Sequence, residues 1–146
     1  SLPLPSIMTP TPKADFTVNL TWQGEQRFSA ASDGGVSAML DGKRGAGPSP
    51  VQAVAFALAG CMAIDVVDVI EKGRLPVKAL TCDMRVFRAD GTPRKITAFD
   101  LHFVVTGEVP EDRIARAIEL SREKYCSVWH SLNPAIDFKT SFTVNP

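Results

Sequence analysis

One stretch, SPVQAVAFALAGCMAIDVVDVIEKG from Ser49 to Gly73, constrains the fold more than any other. Both of its ends carry helix signals. Ser49 is an N-cap residue whose hydroxyl accepts a free first-turn N–H, and Pro50 falls at the first helical position, where a missing N–H costs nothing. Gln52, three residues after Ser49, completes a capping-box pattern. Gly73 follows Glu71 and Lys72 and is the residue expected to close the helix in the left-handed conformation. Between these ends no polar stripe begins before Asp65 and Asp68. A helix apolar nearly all round must be buried, and one sheet of this chain covers only part of it. Packing against a second subunit is the inexpensive solution, since each buried CH2 contributes about 0.8 kcal/mol. A homodimer is therefore expected.

Composition limits the function. With 45% apolar and 22% charged residues, the 146-residue chain reads as an ordinary soluble globule. Its 16 basic residues balance 16 acidic ones, so a nucleic-acid partner is not expected. The longest apolar run, Ala53 to Ile64, is shorter than the roughly 20 residues that span a bilayer, so no membrane segment is expected. Residues 1–13 read as a disordered or cloning-derived arm, with Met8 a natural start and no signal peptide before it. Residues 14–146 read as a single domain. Three cysteines are too few for a disulfide scaffold, and the expected compartment is a reducing cytoplasm.

The rest of the chain alternates between two periods. Phe16, Val18, Leu20 and Trp22 mark a first, half-buried strand, and Arg27–Ser32 and Val36–Leu40 flank the turn signal Asp33-Gly34-Gly35. Asp41 to Pro48, DGKRGAGP, resembles a phosphate loop only in its glycines. Lys43 precedes them instead of following, so a plain loop is expected. Leu80, Cys82, Met84 and Val86, then Phe99, Leu101, Phe103 and Val105, predict a long antiparallel hairpin with one buried face. A helix starting near Pro110 places Ile114, Ala117, Ile118 and Ser121 on one face, and Tyr125 to Leu132 continues it or forms a second short helix. Ile136, Phe138, Phe142 and Val144 predict a last strand. The order β-β-β-α-β-β-α-α-β is that of an α+β fold.

Chemistry lies in the cysteines. Cys61 sits mid-helix between Gly60 and Met62, where small neighbours leave the helix surface thin. Cys126 follows Tyr125, near the cations Arg122 and Lys124, which would favour its thiolate. Cys82 lies on the apolar face of a strand and is left out of any mechanism. No cysteine pair has C-x-x-C spacing and the only histidines are His102 and His130, so no zinc site is expected.

SPVQAVAFALAGCMAIDVV, followed further on by LSREKYCSVWHSL, resembles the OsmC/Ohr family of organic-hydroperoxide-reducing proteins. The likeness is greatest to the branch carrying A-G-C-x-x-I-D-V-V and K-Y-C-S-V helices, and it runs from about Trp22 to Val144. The resemblance implies an intertwined homodimer whose curved antiparallel sheets wrap around long central helices. It implies that Cys61 is the peroxidatic thiolate and Cys126 the thiol that resolves its sulfenic acid into a disulfide. An external dithiol, lipoyl-type by that resemblance, would reduce the disulfide, with no bound cofactor. The chain departs from the family at Val51, where well-studied members carry the glutamate that holds a catalytic arginine. Arg27 and Arg44 stand in the regions from which that arginine comes, outside any matching motif. Asp65, four residues after Cys61, reads as a partner for an arginine across the dimer more than as a catalyst, because an anion there raises a thiol pKa. His130, four after Cys126, reads as a surface histidine, with stabilisation of the Cys126 thiolate as its alternative role. Two functions follow. One is a thiol peroxidase for organic hydroperoxides in oxidative-stress defence. The other is a redox-sensing or hydrophobic-ligand-binding protein on the same scaffold.

Overall fold

The computed structural model describes residues 12–146. The expected start at Met8 and most of the expected N-terminal arm lie outside them. The chain forms two compact units that divide after Pro50.

The first unit is a three-stranded antiparallel sheet, β1 (Val18–Trp22), β2 (Arg27–Ser32) and β3 (Ser37–Asp41), in that spatial order. Gly34 and Gly35 make the β2–β3 turn with φ of 78° and 79°, which glycine adopts without steric cost. β3 starts one residue later than expected. The Asp41–Pro48 segment is not a plain loop. The Asp41 carboxylate accepts from the backbone N–H groups of Lys43, Gly45 and Ala46 at 2.8, 3.2 and 2.9 Å, filling from within the chain the donors that a phosphate would take. These bonds hold the carboxyl below its usual range, Ala46 N–H contributing most. Among the described residues the unit has no helix beyond the single 3-10 turn Asp33–Gly35, and Phe16, Val18, Leu20 and Trp22 of the expected half-buried strand are all exposed in the single chain.

The second unit holds the core. Helix α1 (Pro50–Lys72) is the expected central helix. β4 (Val77–Arg88) and β5 (Ile96–Gly107) form the long antiparallel hairpin, and β6 (Asp137–Val144) joins β5 in parallel. The connection between β5 and β6 carries α2 (Glu111–Leu120), a five-residue π turn (Ser121–Tyr125) and the single-turn α3 (Ser127–His130). Parallel neighbours require such a crossover. α1 buries one stripe, Leu58, Met62, Val66 and Ile70, at four-residue spacing, against a core that includes Phe99, Leu101, Phe103 and Val105 of β5. α2 adds Ile114, Ala117 and Ile118, the face its spacing foretold. The other faces of α1 are less covered, and Phe56 and Ile64 stand exposed. At 23 residues α1 is long and apolar enough to cross a bilayer, a test the shorter run Ala53–Ile64 does not meet; its buried stripe is that of a core helix.

The end of α1 differs from expectation. The left-handed residue is Arg74, with φ of 57°, and not Gly73. Leu75 N–H donates to Ile70 O and Arg74 N–H to Glu71 O, the two bonds of a Schellman motif one residue beyond the glycine. Gly73 instead leaves room for the guanidinium of Arg113, which a Cβ there would strike.

Candidate active site

Cys61 lies on the row of α1 next to the buried stripe, one residue before Met62, and is half-buried. One turn on, Asp65 occupies the same row. Cys126 lies on the crossover, where the π turn passes into α3, and is fully buried. The π turn closes with Cys126 N–H donating to Ser121 O at 2.8 Å. It breaks the helix periodicity after α2, and so carries Cys126 over α1. One donor atom from each of Cys61, Asp65 and Cys126 lies within 4.8 Å of the other two. The two thiols singled out in the sequence are thus brought together, with Asp65 beside both.

Two bonds fix this arrangement. Ser121 is fully buried, and its hydroxyl donates to Asp65 Oδ2 at 2.8 Å and lies 3.2 Å from Met62 Sδ. Cys126 is the N-cap of α3, and its Sγ accepts from Trp129 N–H at 3.3 Å. Trp129 packs on Phe138 with ring centroids 4.7 Å apart, and the Arg122 guanidinium lies 4.9 Å from the Phe138 centroid. Burial pushes the Cys126 thiol up to about 11; the Trp129 and Val128 N–H groups oppose this and Cys61 reinforces it. The expected lowering by Arg122 and Lys124 does not occur. Arg122 stacks on Phe138 and Lys124 faces Tyr125, with Lys124 Nζ 5.6 Å from the ring centroid.

The other expectations divide. Asp65 accepts from Ser121 within the chain, and the arginine expected for it belongs to a second subunit that a single chain does not contain. His130 is exposed. Cys82 is half-buried on β4, outside the Cys61–Asp65–Cys126 cluster, and burial raises its pKa. Arg27 pairs with Glu25 at 3.1 Å in the first unit, and its Nε is buried without a partner among the described residues. Arg44 is an exposed loop residue with φ of 60°. Ser121 is the site residue that sequence reasoning placed on a face but gave no task. The signal was a hydroxyl in an apolar row, which needs a partner when buried.

Fold and site together define an α+β protein in which a helix-borne thiol faces a second thiol on a crossover connection. The chain belongs to the OsmC-like protein family, whose pattern matches residues 41–141. It is 38% identical over 125 residues to protein YhfA of Escherichia coli K12, covering 84% of this chain and 93% of that one. A hypothetical protein from Aquifex aeolicus VF5 shares the fold with a TM-score of 0.83 at 26% identity, over 91% of this chain and 98% of that one. An organic hydroperoxide resistance protein from Legionella pneumophila aligns with a TM-score of 0.66 at 18% identity, over 90% of this chain and all of its own. OhrB of Bacillus subtilis aligns at 0.58 and 17% identity, over 89% of this chain and all of its own. At these lower identities the likeness is one of fold.

Proposed function

We propose that this protein is a thiol peroxidase that reduces organic hydroperoxides to alcohols in oxidative-stress defence. One observation carries the reading. Cys61 and Cys126, far apart in sequence, present their sulfurs to each other across α1 and the crossover. The Cys61 thiolate attacks the distal peroxide oxygen, the O–O bond breaks, and the alkoxide takes a proton to leave as alcohol. Cys61 is then a sulfenic acid. Cys126 attacks that sulfur, its proton and the departing hydroxide leave as water, and a disulfide forms. Asp65, beside both sulfurs, is placed to carry that proton. A dithiol of the medium takes the disulfide electrons by exchange and is itself oxidised. These steps call on no bound cofactor, and they belong in a reducing cytoplasm. The names of the Legionella and Bacillus relatives agree with this chemistry.

The working unit of this reading is a homodimer. Phe56 and Ile64 of α1 and the exposed β1 residues offer the apolar area for it.

A second reading rests on Val51 and on the Cys126 thiol held near 11: a pair that oxidises slowly and serves as a sensor or ligand site. Consumption of cumene hydroperoxide with a dithiol reductant separates the two. Turnover that Cys61→Ser abolishes, with a Cys61–Cys126 disulfide seen by intact mass and Cys82→Ala unaffected, supports the peroxidase. Disulfide formation without turnover supports the sensor.

A further inference from the structure

We infer that the reduced protein holds one zinc ion between Cys61, Cys126 and Asp65. The donor set combines two sulfurs with one carboxylate oxygen, a mixture zinc accepts and hard cations such as magnesium do not. Zinc binds thiolate sulfur at about 2.3 Å and carboxylate oxygen at about 2.0–2.2 Å, so tetrahedral ligands stand about 3.6–3.8 Å apart. The three donor atoms already lie within 4.8 Å of one another, so small side-chain rotations close the site. Sequence spacing concealed the cluster because one ligand comes from the crossover and two from successive turns of α1.

The surroundings are those of a supported metal site. Ligating carboxylates are themselves hydrogen-bonded, and the buried Ser121 hydroxyl donates to Asp65 Oδ2. The Trp129 N–H donates to Cys126 Sγ and orients that sulfur. Cys61 is only half-buried, so water has access to the fourth position. Binding replaces the two S–H protons by one Zn2+ and releases both protons to solvent. No electron moves. With zinc in place neither sulfur is free to attack a peroxide, so the ion inhibits any thiol chemistry of the pair. The inference does not depend on peroxidase turnover.

The test uses the full chain, reduced and free of oxygen, titrated with Co2+ and then with Zn2+. One cobalt per chain is expected, with a thiolate-to-cobalt charge-transfer band and tetrahedral visible bands that zinc erases. Cys61→Ser and Cys126→Ser each weaken the charge-transfer band, whereas Cys82→Ser leaves it whole. Ser121→Ala lowers affinity by roughly 10–100-fold without removing a ligand. Protection of Cys61 from alkylation by zinc in the unaltered protein is a second readout, independent of how the variants fold. Absence of the band, persistence of the full band in both single-serine variants, or unchanged alkylation under saturating zinc overturns the inference.

Discussion

Ser121→Ala removes one hydroxyl and leaves the backbone of the π turn intact. In the native chain that hydroxyl is fully buried and donates to the Asp65 carboxylate at 2.8 Å. A hydrogen bond to a charged acceptor contributes about 1.5–3 kcal/mol. Asp65 is only half-buried, so water recovers part of that loss, while the thioether of Met62 is a weak partner and adds little. The expected destabilisation is about 2 kcal/mol, which lowers Tm by roughly 5 °C in a chain of this size. Urea unfolding under reducing conditions measures it. A cycle of Ser121→Ala, Asp65→Ala and the double variant isolates the pair, with a coupling of about 1–2 kcal/mol expected. A coupling below about 0.3 kcal/mol, the level at which independent sites simply add, would refute the claim that Ser121 holds Asp65 in place.

Other perturbations follow from the same geometry. Leu58→Ala, at a fully buried position of the α1 stripe, should cost about 2–5 kcal/mol in denaturant unfolding. Arg74→Gly should stabilise by about 0.5–1 kcal/mol in the same assay, because relief of a left-handed non-glycine residue outweighs glycine's larger unfolded-state entropy. The Cys126 thiol ordinarily titrates near 9.0 and in the folded chain near 11, so between these values the native state keeps a proton that the unfolded state loses. Its contribution to stability is therefore complete below pH 9 and is lost as pH rises toward 11. The loss is at most about 3 kcal/mol, and Cys126→Ala should remove that part of the slope in paired urea titrations.

Much of the fold was legible because its signals are local. The apolar-polar alternation of β4 and β5 foretold their hairpin, and the α2 row of Ile114, Ala117, Ile118 and Ser121 proved to be its buried face. The resemblance-based assignment of Cys61 and Cys126 named two residues that the fold brings together. What remained hidden depends on distant partners. β6 reads equally well as parallel or antiparallel, since period two does not record direction, and it pairs with β5 in parallel. The π turn has no sequence period of its own, so the position of Cys126 over α1 could not be placed. Gly73 met the usual rule for a helix end, yet the need to admit Arg113 shifted the left-handed residue to Arg74. The DGKRGAGP loop was judged by its glycines, whereas Asp41 at its head gathers its amides.

Cys126 does two jobs with one atom. Its sulfur is half of the thiol pair, and it also accepts the N–H that starts the single turn bearing Trp129. A sulfur joined in a disulfide is held by its partner at a fixed torsion and no longer turns freely toward that N–H. Oxidation therefore withdraws the cap from α3 and loosens the indole from the Phe138 ring against which it rests. The chain thus carries its own optical gauge. The emission of Trp129, read against Trp22→Phe to silence the other indole, should shift when the sulfurs join and return when they part.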